Sequence, residues 1–328
     1  MELSYEITWE HKGLNIYHFL RTVLPRQDRR LLRELLASGA VSVNAGVADP
    51  GRPLAIGDVV IVKARRETLP ERRRDMSRLA VLYEDESVLA IDKPCGLAAA
   101  KERLRRGDSA LDRLRAERVS SLTDERVGLR LVHRLDRETS GVLVFAKGRT
   151  AKKFLTEQFV ERRVEKEYWA LVVGHPLDEE GLIQAPIAPS RRGPSVRIVS
   201  EGGKDAATQW RVVERFRGFS RLDVRPLTGR THQIRVHLAH VGFPVLGDRR
   251  YGGGESLYLS ALKPGYRPRR GETEPPVLSR LALHASRIRL VSPDGARAIE
   301  ITSPLPPELE RVVRVLRKYA TAISTRSR

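Results

Sequence analysis

The sequence has a single cysteine, no long apolar run and, at its start, no pattern typical of a signal peptide. Cys95 is the one cysteine among 328 residues, so the chain can form no internal disulfide and no zinc site built from cysteines. A single cysteine is typical of a reducing cytosol. No apolar run approaches the roughly 18 residues that span a membrane, and the start, MELSYEITWEHKG, lacks a basic and then apolar signal peptide. We therefore expect a cytoplasmic protein that does not contact a membrane.

Acidic residues are outnumbered by basic ones. The chain has 41 Asp and Glu against 60 Lys and Arg, a formal net charge of +19, and 41% hydrophobic residues. The apolar content is ordinary for a soluble globular protein. Basic surfaces bind phosphate backbones because binding releases counterions. The charge therefore favours nucleic acid as the partner over a membrane surface or an acidic protein, although a basic surface can also simply be solvated.

The first part of the chain has the pattern of a small domain. Residues 14–63 predict two helices followed by two short strands. The first helix should end at Pro25, and the second should begin after Asp28, a good N-cap, and end at Gly39. Four arginines fall on a face of the second helix that its leucines do not occupy: Arg26, Arg29, Arg30 and Arg33. That face could contact RNA phosphates or be solvated.

The rest of the chain predicts a larger domain. Residues 64–78 are charged and lack an apolar period, which indicates a linker. Beyond them, apolar strands alternate with a few helices, one of them capped by Thr150. Residues 250–280 are rich in glycine, proline and arginine, which favours a long surface loop. PPELERVVRVLRKY predicts an amphipathic helix with proline at its start.

Three segments could carry chemistry, and two of them are polar runs. HRLDRETSG is a loop between two apolar strands, and such loops often hold catalytic groups. A surface turn with local ion pairs would also fit. In TGRTHQIRVHL, Thr231 could cap a helix of about three turns, with Arg230 free to reach out from its N-terminus. This segment could bind an anion or be an ordinary amphipathic helix.

The third segment is a strand, EKEYWALVVG, in which Lys166 and Tyr168 share one face. Tyr168 could act as a base or stacking platform, or be a core residue with a satisfied hydroxyl. The histidines His232, His237 and His240 do not suggest a metal site, because His232 lies on another face of the helix and the run contains no carboxylate or cysteine.

The motifs together resemble a known family. HRLDRETSG is similar to the H-R-L-D-x-x-T-S-G signature of the RluA-type pseudouridine synthases. DESVLAIDKPCGL, EKEYWALVVG, TGRTHQIRVHLAHVGFPVLGDRRYG, LALHASRIRL and ITSPLP resemble the family's other blocks in the family's order, over about residues 79–310. LLRELLASGAVSVNAGVADPGRPLAIGDVV resembles the S4 RNA-binding domain, with Asn44-Ala45-Gly46 a slight departure.

The resemblance implies a fold and a division of the chain. The expected fold class is α+β, with a mixed, mostly antiparallel central sheet preceded by a small S4-like αα-ββ domain. The S4-like domain would cover residues 1–63, the linker 64–78, and the catalytic domain with its basic tail 79–328.

The resemblance also implies an activity and its residues. The enzyme would isomerise uridine to pseudouridine, most often in large-subunit ribosomal RNA, with tRNA also possible, as a monomer without metal, nucleotide or other cofactor. By resemblance Asp136 is the nucleophile and Arg230 is its partner. Tyr168 stacks on the uracil and moves a proton, and Arg134 fills the space that the base leaves. Ile234 and Arg235 line the pocket.

The sequence departs from the family's pattern in places, and two rival functions remain open. Asp92 stands where asparagine is common, Ala98-Ala99-Ala100-Lys101 replaces a frequent His-Pro pair, and the loop over 250–280 is long. The rivals are a catalytically idle RNA-binding or ribosome-assembly factor of the same fold, and a metal-dependent nuclease. The first would have lost the residues named above, and the second needs clustered carboxylates, which the sequence lacks.

Overall fold

The computed structural model divides the chain into two compact units, Met1–Ser77 and Arg78–Arg328. The residues described are 2–7, 11, 13–23, 29–49, 51–63, 79–100, 109–117, 128–190, 193–267 and 274–321. The predicted linker, Pro25, Arg26 and Asp28 lie outside them. Among the described residues no helix is long and apolar enough to cross a membrane.

The N-terminal unit is a four-stranded antiparallel sheet with two helices. Its elements are β1 (Glu2–Glu6), α1 (Ile16–Val23), α2 (Arg29–Ala37), β2 (Val41–Val43), β3 (Gly46–Val47) and β4 (Val59–Lys63), with sheet order β1-β4-β2-β3. Gly39 has a φ of 68° directly after α2, the left-handed conformation expected of a C-terminal glycine. The sequence does not predict β1, because its partner β4 lies at the far end of the unit and local sequence carries no signal for that pairing.

The second unit contains a ten-stranded sheet and a separate two-stranded sheet. Its strands are β5 (Ala80–Glu84), β6 (Val88–Lys93), β7 (Leu129–Leu131), β8 (Ser140–Lys147), β9 (Glu165–Val173), β10 (Glu180–Gln184), β11 (Ile187–Ser190), β12 (Gly193–Val199), β13 (Ala207–Phe216), β14 (Phe219–Pro226), β15 (Leu283–Val291) and β16 (Ala298–Thr302). Its helices are α3 (Ala110–Glu117), α4 (Arg149–Val160), α5 (Gln233–His240) and α6 (Pro307–Tyr319).

The strand order of this sheet is β10-β13-β14-β9-β15-β8-β6-β5, with β16 beside β15 and β7 beside β8. Only the β15–β8 pair is parallel among the pairs described, and β11 with β12 forms a separate hairpin. The expected mixed, mostly antiparallel α+β fold is therefore confirmed.

Alternating side chains of the central strands pack into two hydrophobic clusters, one on each face of the sheet. In β6, Leu89 and Ile91 pack in the cluster that includes α3, whereas Val88 and Ala90 pack in the cluster that includes α4. The reason is the two-residue period of a strand, which sends successive side chains to opposite faces of the sheet. Both faces of β6 and β8 are thereby buried, and their ends are rigid supports for loops.

Three local expectations need correction. Helix α4 begins at Arg149 after Gly148, so Thr150 is inside the helix rather than its cap. Helix α5 has only eight residues, and its N-cap is His232 in the left-handed conformation with a φ of 57°, not Thr231. The described residues of the segment 250–280, which are 250–267 and 274–280, contain no helix or strand, but they are not only a surface loop. They contribute four side chains to the main core: Leu257, Leu262, Val277 and Leu278.

Candidate active site

The loop HRLDRETSG connects β7 to β8, as the sequence predicts. The two strands pair in antiparallel register from Leu129 with Lys147 to Leu131 with Phe145. The loop is therefore held at both ends by neighbouring strands of the sheet. Within it the backbone N–H of Thr139 donates to the carbonyl of Asp136 at 3.1 Å. Asp136 thus sits on a tight turn, with its side chain half-buried.

A buried lysine ties this loop to the turn after β6. Lys93 is fully buried, and its Nζ donates to the carbonyls of Pro94, Leu97 and Arg137 at 3.0, 2.8 and 3.2 Å. Burial lowers the pKa of Lys93 to about 8. The three carbonyl acceptors compensate for the lost water. The Lys-Pro-Cys-Gly turn therefore fixes the backbone one residue after Asp136.

Two cationic or potentially cationic groups face the Asp136 carboxylate. An Nη of Arg235 lies 3.4 Å from its Oδ2, and Nε2 of His232 lies 3.9 Å from the same oxygen. Arg230 was expected to be the partner of Asp136. In the structure Arg235 takes that place, and this part of the sequence interpretation is wrong.

The position of α5 explains why Arg235, and not Arg230, faces Asp136. Arg230 precedes the helix, and its Nε donates to the carbonyl of Asp205 at 2.9 Å, while its backbone N–H donates to the side chain of Gln233. Arg235 lies within the helix and is only 3% exposed. The left-handed turn at His232 sets where the helix starts, and with it which arginine faces the carboxylate.

Arg235 is itself held by a buried carboxylate. Its Nε and an Nη donate to the two oxygens of Asp248 at 2.6 and 2.8 Å, and its guanidinium lies 5.3 Å from the ring centre of Tyr251. A third ion pair joins it to Glu138 at 3.0 Å. Burial opposes the charged form, but the hydrogen bonds and attraction of Asp248 outweigh it and hold the pKa of Arg235 above its ordinary value. The guanidinium of Arg235 therefore stays charged although it is buried.

These groups open onto a cavity of about 490 Å³. Its lining includes Asp136, Tyr168, Lys166, Arg134 and Ile234, so the predicted catalytic loop, strand and helix do meet at one place. A volume of this size suits a small-molecule-sized ligand such as one nucleoside. Arg134 is exposed, whereas Ile234 is buried in the wall.

Tyr168 lies in this cavity in its protonated form. Burial, and after it the charge of Asp136, raises the pKa of Tyr168 above its ordinary value. Neighbouring Lys166 donates from Nζ to the carbonyl of Thr228 at 3.2 Å, and burial lowers its pKa to about 8. At neutral pH the Tyr168 hydroxyl is therefore neutral and can donate a hydrogen bond within the cavity that Asp136 also lines.

Comparison with known proteins decides the family. Residues 87–240 match the family described as RNA pseudouridylate synthase. Ribosomal large subunit pseudouridine synthase C of Vibrio vulnificus (strain CMCP6) is 34% identical over 323 residues, covering 95% of this chain and 96% of that protein. Ribosomal large subunit pseudouridine synthase D of Xanthomonas campestris pv. campestris is 36% identical, covering 91% and 88%. The chain belongs to the RluA-type pseudouridine synthases.

A solved structure agrees with this family. Human RNA Pseudouridylate Synthase Domain Containing 1 superposes with a TM-score of 0.54 at 27% identity, covering 74% of this chain and 96% of that one. As a pseudouridine synthase the protein is an isomerase that acts on RNA. The S4 resemblance of the N-terminal unit remains a prediction.

Within the synthase site, His232 lies between Tyr251 and Asp136. The hydroxyl of Tyr251 accepts a hydrogen bond from the backbone N–H of Arg197 at 3.0 Å and lies 2.9 Å from Nδ1 of His232. When that hydroxyl donates its own proton to Nδ1, the ring proton of His232 lies on Nε2, the nitrogen nearer Asp136. Burial lowers the pKa of His232 to about 4, so the ring is neutral. In that tautomer it offers the carboxylate a donor without a second positive charge.

Two other polar side chains of α5 bind the helix to neighbouring segments through hydrogen bonds. Gln233 accepts from the hydroxyl of Thr228 at 2.6 Å and donates to the carbonyl of Ala207 at 2.9 Å. His237 contacts Thr208 Oγ1 and the carbonyl of Ala185, both at 2.9 Å, so both of its ring nitrogens are used. No group of three His, Cys, Asp or Glu side chains in the described part of the chain could hold a metal ion.

Sequence reasoning missed four residues around Asp136. Asp248 and Tyr251 belong to the GDRRYG block and Lys93 to the DKPCG block, and the motifs alone give these residues no role. His232 was considered only as a metal ligand. The signal was in the blocks, but the contacts that give these residues their function join segments far apart in the chain.

Proposed function

We propose that this synthase isomerises uridine in large-subunit ribosomal RNA and that Asp136 is its nucleophile. The names of the two bacterial relatives favour this substrate. The observation that carries the assignment of Asp136 is its place in the wall of the 490 Å³ cavity, beside the buried cation of Arg235 and the ring of Tyr168. Transfer RNA is the alternative substrate.

The chemistry follows from the groups at the cavity. Isomerisation breaks the bond between ribose C1′ and uracil N1 and forms one to C5, so the uridine must leave its helix and enter the cavity. Arg235 orients the Asp136 carboxylate and balances its charge, and attack on the base, attack on C1′ or assistance to elimination each uses that carboxylate. The ring of Tyr168 stacks on the uracil, and its hydroxyl takes part in proton transfer. Arg134 at the mouth occupies the gap left in the RNA.

The N-terminal unit adds affinity in this proposal. It acts as an S4-like domain whose arginines, among them the exposed Arg33 of α2, contact phosphates. A tethered binding module raises the local concentration of RNA without adding a catalytic group. The protein works as a monomer in the cytoplasm, without a metal or a cofactor.

Tritium release tests the proposal. Unmodified large-subunit ribosomal RNA labelled with tritium at uridine C5 is incubated with the protein in the presence of EDTA. Wild type should release tritium and leave the strand whole, whereas Asp136→Asn should bind RNA and release none, because the amide is uncharged and a poor nucleophile. Asp178→Asn, the same change at an exposed position, is the matched control.

The outcomes separate the rivals. Strand cleavage that EDTA abolishes indicates a nuclease, and RNA binding without tritium release by wild type indicates an idle assembly factor. Substantial release by a folded Asp136→Asn protein, with folding verified by circular dichroism, would refute the assigned nucleophile. A transfer RNA substrate labelled in the same way distinguishes the two RNA classes.

A further inference from the structure

A second pocket of about 640 Å³ lies beside the catalytic cavity, between α4 and the strand β7. Its lining carries four cationic side chains: Arg130 of β7, and Arg149, Lys152 and Lys153 of α4. Neither the reaction nor the catalytic constellation uses any of them. The pocket is therefore a separate feature that needs its own explanation.

Its charge is mainly positive. Arg149, Lys152 and Lys153 are exposed, and none of them forms an ion pair with another residue that the structure describes. Two carboxylates also line the pocket, but one of them, Glu161, accepts from Nε of Arg163 at 2.6 Å. Four cations against two carboxylates leave the pocket with a net positive charge, so this arrangement favours an anionic ligand.

Two polar atoms of the pocket residues have no partner. Nε of Arg130 and Oγ1 of Thr156 are buried, and neither has a hydrogen-bond partner within the described part of the chain. A buried polar group without a partner is destabilising, and such groups are rare in folded proteins. A small rotation of either side chain toward a ligand in the pocket would let oxygen atoms of that ligand satisfy it.

The pocket adjoins the catalytic cavity. Thr156 and Val160 line both, and Val160 is 75% exposed although it is apolar. A chain that leaves the catalytic cavity on this side passes over Val160 and reaches the cations of α4. A flexible polyanion with apolar base faces fits this path, because it offers phosphates to the cations and a base to Val160.

We propose that this pocket is a binding site for the phosphodiester backbone of nucleotides flanking the target uridine. Lys152, Lys153 and Arg149 contact phosphate oxygens, and Arg130 and Thr156 bind phosphate or ribose oxygens. The proposal rests on the function proposed above and names a further contact of the same RNA. It assigns α4 a part in holding the substrate but none in the chemistry.

The first test replaces the two lysines. Lys152→Ala/Lys153→Ala should raise KM roughly tenfold and leave kcat unchanged. It should also reduce the slope of log Kd against log salt by about 2, since each lysine that no longer binds a phosphate removes about one from the slope. Arg314→Ala/Lys318→Ala is the matched control, since it removes two exposed cations from α6. The charge-preserving Lys152→Arg/Lys153→Arg should restore the wild-type values.

The second test uses the unpartnered hydroxyl. Thr156→Val keeps the shape and removes a buried polar atom, so Tm should stay the same or rise while affinity for RNA falls. A purely structural residue would not give these opposite changes. On an RNA stem-loop trimmed until no nucleotide can reach α4, wild type and the lysine variant should have the same KM.

The results distinguish this proposal from the proposed function. If the lysine variant has the same KM and salt slope as the α6 control, the proposed phosphate site is overturned. An acidic protein would then be the partner that fits this surface. A lower kcat at saturating RNA would also overturn the proposal, since it would place α4 in the chemistry. If wild type released no tritium, the proposed function would fail instead, and the salt slopes of RNA binding would still test the site.

Discussion

The two units of the chain bury different kinds of side chain. In the N-terminal unit the core is apolar, from Ile7 and Phe19 to Val60 and Val62, and Asp58 is the one buried polar side chain among its described residues. In the second unit the described part buries many polar side chains, among them Lys93, Gln233, Arg235, His237, Asp248 and His284. Most of these have hydrogen-bond partners in the interior.

This difference indicates where the chemistry is. A satisfied buried polar network fixes the geometry of its members, whereas a partly satisfied one is destabilising. Part of this network, Arg235 with Asp248, holds Asp136, so the buried charges are used where a carboxylate must be positioned. The N-terminal unit has the simpler core of a binding module. If this comparison is right, changes to the N-terminal unit should alter the affinity for RNA, whereas changes to the site of the second unit should alter turnover.

The largest effect is expected from Arg235→Ala. The change leaves Asp248 buried without its partner and should lower the free energy of unfolding by about 3–5 kcal/mol. It should also abolish most pseudouridine formation, because Asp136 loses the cation that pairs with it and orients it. Arg230→Ala should have a much smaller effect, since Arg230 contacts the carbonyl of Asp205.

Denaturant unfolding and tritium release measure both variants. Asp248→Asn is a second check, because it removes the charge behind Arg235 and leaves Arg235 itself in place. Equal loss of activity in Arg230→Ala and Arg235→Ala would break the assignment made from the structure and would restore Arg230 as the partner of Asp136.

Tyr168→Phe should have an intermediate effect on turnover and none on binding. The ring face that stacks on the base remains, but the hydroxyl proton is lost. Turnover should therefore fall by roughly 10²–10⁴, the range for positioned acid–base groups, while Kd for RNA stays unchanged. Single-turnover rates and filter binding measure the two constants. Full turnover in Tyr168→Phe would confine the residue to stacking.

The smallest effect is expected from removal of residues 1–75. The remaining unit contains the whole described cavity, so kcat at saturating RNA should be unchanged. Affinity should weaken, and the salt slope should become shallower by about one for each phosphate that the shortened protein no longer binds. An unchanged slope would mean that the N-terminal unit is not an RNA-binding domain, and a lower kcat would mean that it supports the catalytic unit.

Sequence patterns over neighbouring residues were sufficient to predict several elements of the fold. The strand β9, the Lys-Pro turn after β6 and the polar loop between β7 and β8 were predicted from apolar periods and turn residues, and the structure contains each of them. The family was identified from ordered motifs. The meeting of Asp136, Tyr168 and α5 at one cavity follows the order implied by that resemblance.

By itself the sequence determined the family through its ordered motifs, and the resemblance to that family implied the mostly antiparallel α+β fold and the role of the loop that carries Asp136. Only the tertiary structure decided that Arg235 rather than Arg230 faces this carboxylate, and that Asp248 and Tyr251 hold the site together. The reason is physical: one left-handed residue, His232, sets the start of α5. A shift of the helix start rotates every later side chain by about 100° per residue, and long-range contacts decide which position is stable.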